Sequence, residues 1–198
     1  MRFRTLSLSG SVIAVALVLA GCTGTGGSMP GMDMGSGDTP SSTSGPSSTT
    51  AKTADEMFVT MMIPHHEQAI AMSDAILKKT GIDPKVTALA KQIKAAQAPE
   101  IQTMQAWLKD KGTSADSAPM TGMGMMSDHD MTTLDSATGS DAARLFLSGM
   151  IAHHEGAIEM ARSELSDGKD ADMRALAQKV VDGQTAEITT MKDILGSL

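Results

Sequence analysis

The 198-residue chain has no tyrosine, three phenylalanines and one tryptophan. A half-buried strand needs β-branched or aromatic residues at alternate positions, and no segment supplies them, so the sequence argues against a sheet. A single cysteine, Cys22, excludes an ordinary disulfide within one chain. Basic residues are also scarce, 16 against 23 acidic, for a formal net charge of −7. Phosphate binding requires clustered Lys and Arg, so nucleic acid is not an expected partner. The longest apolar run, residues 12–20, is too short for a membrane span, which needs about 20 residues.

What the chain does contain is a duplication. Residues 58–72, FVTMMIPHHEQAIAM, and residues 146–160, FLSGMIAHHEGAIEM, are copies of one segment and hold four of the five histidines. The copies share ligand-type residues (Met62/Met150, His65/His153, His66/His154, Glu67/Glu155, Met72/Met160) as well as apolar ones. A repeat that only built a core would need to keep just the apolar pattern. A second echo follows each copy. Leu89, Gln97, Glu100, Ile101, Met104 and Leu108 are matched by Leu176, Gln184, Glu187, Ile188, Met191 and Leu195. The repeating unit is therefore two consecutive segments, used twice.

The N-terminus reads as an address. Arg2 and Arg4 precede the apolar run, and Leu19-Ala-Gly-Cys22 closes it. This ending resembles the bacterial lipobox, in which cleavage before the cysteine leaves it lipidated. The expectation is a signal peptide over residues 1–21 and a chain anchored by lipid at Cys22 on the extracytoplasmic face of a membrane. Cleavage removes two arginines and no acids, leaving a net charge of −9. Residues 22–52, rich in Gly, Ser, Thr and Pro, read as a flexible tether, and residues 53–198 as one domain.

Four helical patterns follow. Thr53-x-x-Glu56 offers a capping box, and Gly81 ends the first helix after about Thr80. Asp83-Pro84 supplies an N-cap and a proline at the first helical position. Ser140 or Asp141 starts the third helix and Gly168 ends it; Asp170 or Asp172 starts the fourth. Pro64 and Pro99 each remove a helical hydrogen bond and predict kinks, where the second repeat has Ala152 and Ala186. Two tandem helical hairpins joined by a long connection, residues 112–139, predict an all-α four-helix bundle with pseudo-twofold symmetry.

On the first helix Met61, His65 and Met72 fall on one side, with Met62, His66 and Ala69 adjoining; Met150, His153, His154, Ala157 and Met160 repeat this on the third. Imidazole and thioether donors together suit copper better than magnesium, calcium or manganese. Methionines on helix stripes by themselves are ordinary core filling. The doubled His-His pairs are what point to a metal site, made of His65, His66, Met72, His153, His154 and Met160. Gln97, Glu100, Gln184 and Glu187 sit in or beside apolar stripes, where an unpaired polar group costs roughly 1–3 kcal/mol. They are natural partners that would orient the histidines, although a purely structural His–Glu network would read identically. Imidazole ligation predicts that affinity falls as pH drops through about 6.5.

The connection carries a second signal. Met120, Met123, Met125, Met126, His129 and Met131 lie within twelve residues, among glycines that argue against a regular helix there. Methionines in a polar loop have no core to fill, and closely spaced thioethers favour Cu(I). Residues 29–34, MPGMDM, repeat the style in the tether.

The pattern Met-Ile-x-His-His-Glu-x-Ala-Ile-x-Met, at Met62–Met72 and Met150–Met160, with Gln-x-x-Glu-Ile-x-x-Met ending at Met104 and Met191, resembles the bacterial domain-of-unknown-function family 305 over residues 54–198. The resemblance implies a ferritin-like four-helix bundle in an exported protein and, because some members are associated with copper binding or copper resistance, copper as Cu(I) or Cu(II) as the expected metal. Its matching positions here are His65, His66, Met72, His153, His154 and Met160. Two other readings compete with a metal-sequestering or metal-passing lipoprotein. An oxidoreductase on a di-iron scaffold would use Glu-x-x-His on two helices, and that motif is absent; His-Glu-x-x-His, the zincin motif, is absent too. A cell-surface interaction bundle without metal is the third.

Overall fold

The computed structural model describes residues 52–114 and 122–198. The lipobox, Cys22, the tether and Met120 lie outside the described residues. Five helices are present and no strand among these residues: α1 (Ala54–Leu77), α2 (Pro84–Asp110), α3 (Asp128–Ser136), α4 (Gly139–Asp167) and α5 (Ala171–Ser197). No described helix is long and apolar enough to cross a membrane.

Local chemistry sets the ends. Thr53 and Glu56 close a reciprocal capping box on α1; Asp83 caps α2 with Pro84 next to it; Asp170 accepts from Asp172 and Met173 at the start of α5. Helix α4 begins one residue before the expected Ser140, and Thr138 stands at its cap without a side-chain bond. Both α1 and α2 run without interruption through Pro64 and Pro99.

The connection departs from its reading. The glycines stop at Gly124, and from Ser127 onward the segment has a capping box of its own, Ser127 with Asp130, that starts α3. Leu134, fully buried, then pins this short helix to the core.

Helix α1 packs on α2 and α4, α4 on α5, and α2 on α5. The core forms two apolar clusters. One holds Met72, Ile76, Leu89, Ile93, Phe146, Met150 and Met191. The other holds Phe58, Met62, Met104, Leu108, Met160, Leu176 and Val180. Following each chain segment between the clusters shows that α1 and α5 run one way and α2 and α4 the other, so packed neighbours are antiparallel. Each long helix passes from one cluster to the other through buried polar residues: His65 and His66, Gln97 and Glu100, His153 and His154, Gln184 and Glu187. A polar layer therefore crosses the middle of the core. Asp55 closes one end, accepting from the backbone N–H groups of Lys169 and Asp170.

Candidate metal centre

All four repeat histidines are fully buried. The duplication places His65 and His153 ring against ring, centroids 3.7 Å apart and tilted by 38°. Ala69 and Ala157, one helical turn on and also buried, keep the flanking positions small.

Partners on the other helices fix how each ring is presented. His66 Nε2 lies 2.9 Å from Glu100 Oε2, and His154 Nε2 lies 2.8 Å from Glu187 Oε2. The remaining oxygen of each glutamate is met from the opposite hairpin. Lys179 approaches Glu100 Oε1 at 3.3 Å, and Gln92 donates to Glu187 Oε1 at 3.3 Å. Positions 92 and 179 correspond in the repeat, so the two hairpins cross-link symmetrically through α2 and α5. Burial alone would raise the Glu100 carboxyl, but hydrogen bonds from His66 and Lys179 and the charges of both hold it below its ordinary value.

A carboxylate can only accept, so His66 and His154 donate from Nε2. The same holds for His65, whose Nε2 donates to the Met123 carbonyl at 3.0 Å. The Nδ1 atoms of His65, His66 and His154, and both ring nitrogens of His153, have no hydrogen-bond partner. Imidazoles oriented through one nitrogen by a carboxylate or carbonyl, with the other nitrogen bare, are what metal-ligating histidines present. The side-chain amides of Gln97 and Gln184 are likewise buried and unpartnered. Left unpaired, each such group costs about 1–3 kcal/mol.

Among the described residues, no three His, Cys, Asp or Glu side chains are arranged to hold a metal ion by themselves. A metal held here would need few nitrogens, or nitrogens together with thioethers, which only a soft ion of low coordination number tolerates. On donor chemistry the layer fits copper and not a hard cation. Glu67 and Glu155, shared by both copies, are exposed and take no part.

Burial corrects the expected pH response. It holds the His65 pKa down to about 4, with the charges of His66 and His154 acting the same way and the Met123 hydrogen bond acting against them. Burial, then His65 and His154, push His153 well below its ordinary value. Protons therefore compete for His65 near pH 4, not near 6.5.

The methionine-rich connection is not one loop cluster. Residues 122–127 form a strap across α1 and α4. Gly122, Met123 and Gly124 all have positive φ, at 98°, 50° and 75°, and the non-glycine among them is strained by about 1–2 kcal/mol. Gln68 clamps the strap, donating to the Met126 carbonyl at 2.9 Å and accepting from its N–H at 2.8 Å. The matching position in the second copy is Gly156, where any Cβ would collide with the Met123 carbonyl. Gly124 similarly has no room for a Cβ against the Ala152 carbonyl. One copy thus carries the residue that grips the strap and the other the residue that makes space for it. The repeat mismatch Gln68/Gly156 was the signal for this in the sequence. Met126 reaches the Gly149 position, where the Met72 methyl also lies, while Met131 packs on the same core cluster. His129 is exposed.

A second site escaped sequence reasoning. Glu164 is buried beside Asp55, and burial, the hydrogen bond to Asp55 and that group's charge push its pKa up to about 8. The two carboxyl groups are neighbours where α1 begins and α4 ends, a juxtaposition that no local spacing encodes.

No curated protein matches the sequence. The structure is similar to a DUF305 fragment from Deinococcus radiodurans, with 31% identity, TM-score 0.68, and coverage of 73% of this chain and 97% of that one. It is similar to a protein from Streptomyces coelicolor named as a putative secreted DUF305 protein, with 31% identity, TM-score 0.69, and coverage of 73% and 92%. It also matches CopM in its Cu(I)-bound form, with 29% identity, TM-score 0.62, and coverage of 72% and 96%; CopM is known in Cu(II)-bound, silver-bound and apo forms as well. The model of a domain of unknown function, DUF305, matches residues 55–195. That match runs from the first turn of α1 almost to the end of α5 and takes in the histidine layer and its strap: this chain belongs to the DUF305 family.

Proposed function

We propose that this protein is an extracytoplasmic copper-binding lipoprotein that sequesters copper or passes it on. The carrying observation is the pair His65 and His153, fully buried and ring against ring, with His65 Nδ1 and both His153 ring nitrogens without a hydrogen-bond partner. His66 and His154, oriented by Glu100 and Glu187, complete the nitrogen set, and Met72 and Met160 flank it in the two apolar clusters. The Cu(I)- and Cu(II)-bound forms of CopM, a structural relative, support copper as the metal. In this reading the four long helices are a ferritin-like four-helix bundle, used here as a holder with no assigned turnover. Residues 1–21 direct export, lipid on Cys22 anchors the chain, and residues 22–52 let the domain stand off the membrane. The Streptomyces coelicolor relative, named as a putative secreted protein, supports export.

The test is metal content. Protein from copper-supplemented cells should carry copper by element-resolved mass measurement, and His65→Ala with His153→Ala should lose the histidine-bound share. Equal copper in both proteins would remove the histidine layer from the assignment.

A further inference from the structure

Where the strap crosses α1 and α4 it roofs a cavity of about 260 Å³. Its wall includes four methionines from three segments: Met57 and Met61 of α1, Met123 of the strap and Met160 of α4. Met57 and Met123 are 47% and 42% exposed, two of the three large apolar side chains left most open to solvent among the described residues. Exposing thioethers on both sides of one cavity has no packing benefit.

The internal repeat supplies a control. Positions 57 and 61 correspond to 145 and 149 in the second copy, which hold Leu145 and Gly149. Those residues line a comparable cavity on the other side of the strap, alongside Met125 and Met126. The fold therefore accepts leucine at the position of Met57, so methionine there is not a requirement of packing, whereas Met61 also packs on the core and the place of its counterpart Gly149 is filled by Met126. Met160, by contrast, is buried and repeated as Met72.

We propose that this cavity is a separate site for a soft monovalent metal ion, Cu(I) or Ag(I), held by the thioether sulfurs of Met57, Met61, Met123 and Met160. Thioethers are soft donors that bind without losing a proton, so they favour Cu(I) over harder cations. The cavity also adjoins the histidine layer, since the Met123 backbone carbonyl accepts from His65 Nε2. An ion held here stands in solvent contact on one side and one residue from the buried imidazoles on the other. The site rests on the copper reading and shares Met160 with it, but Met57, Met61 and Met123 are donors of their own and it is tested separately.

The whole chain labelled with [13C-methyl]methionine is titrated with silver nitrate. The ε-methyl signals of Met57, Met61, Met123 and Met160 should move together over one equivalent. Met57→Leu with Met61→Leu keeps the apolar volume and removes two sulfurs. Native mass spectrometry should show one Ag(I) fewer per chain, with an unchanged circular dichroism spectrum and undiminished Cu(II) binding. Unchanged silver stoichiometry in this variant, or four signals that do not move in concert, overturns the proposal. In His65→Gln with His153→Gln the shifts at Met57 and Met61 should persist. Their persistence alongside undiminished copper would count against the histidine layer only, whereas their loss would show that the cavity is not a site of its own.

Discussion

Replacing His65 by glutamine tests the buried neutral imidazole directly. Glutamine places an N–H near the position of Nε2, so it can still donate to the Met123 carbonyl, but it does not titrate. In the unfolded chain His65 protonates near the ordinary histidine value of 6.5; in the folded protein it does so only near 4. A folded pKa below the unfolded one means that the unfolded chain binds the extra proton first as pH falls. The stabilising contribution is thus complete above pH 6.5 and is lost progressively down to about 4. At about 1.36 kcal/mol for each tenfold change in proton affinity, the loss is roughly 3 kcal/mol. Metal-free wild type and His65→Gln are unfolded in urea at intervals from pH 7 to pH 4. The wild type should lose roughly 3 kcal/mol more than the variant across that range. Comparison with the variant cancels the contributions of distant carboxylates, while the change at His153, whose own shift depends on His65, enters the difference. Parallel curves for the two proteins would refute the reasoning, since they would mean that the ring at position 65 titrates alike in folded and unfolded chains.

Glu164 should show the opposite slope, because its folded pKa of about 8 lies above its unfolded value of 4.5. Stability is lost as pH rises through that interval, so Glu164→Gln should raise the stability at pH 8 by up to roughly 4 kcal/mol, less to the extent that solvent screens the carboxyl, and change little at pH 4; thermal melts at the two pH values check it. Gly156→Ala, which drives a Cβ into the Met123 carbonyl, should cost about 1–3 kcal/mol. Gly149→Ala meets the end of the flexible Met126 side chain, with Sδ at 3.0 Å, and should cost under about 1 kcal/mol by the same denaturation. Gln68→Ala removes both bonds to Met126 and should lower the free energy of opening the strap by about 1–3 kcal/mol, seen as faster amide exchange at residues 122–127.

Much of this arrangement was legible because duplication makes a sequence comment on itself. The caps at Thr53, Asp83 and Asp170 are local chemistry, and the buried stripes follow helical spacing, so five helices without a strand among the described residues agree with an all-helical expectation. Helix α3 was missed because glycines before residue 125 were allowed to speak for the whole connection, whereas the Ser127–Asp130 box restarts a helix behind them. Pairing of His66 with Glu100 and of His154 with Glu187 was foreseeable from two echoes on adjacent helices.

Other features depend on contacts that no periodicity carries. The strap's course is written only in the mismatches between the copies, Gln68 against Gly156 and Met61 against Gly149. These acquire meaning once a third segment is known to cross both helices. The pH response went astray for a related reason: an ordinary histidine value assumes water around the ring, and both His65 and His153 have none of their surface exposed. The Asp55–Glu164 pair joins residues more than a hundred positions apart, and nothing in either neighbourhood announces it.

X-ray absorption at the copper edge, on the copper-loaded chain, tests the central claim most directly. The account predicts imidazole nitrogen scattering in wild type, with sulfur beside it, and loss of the imidazole signature in His65→Gln with His153→Gln. Copper surrounded by oxygen alone, or an imidazole signature that survives the double substitution, would contradict it.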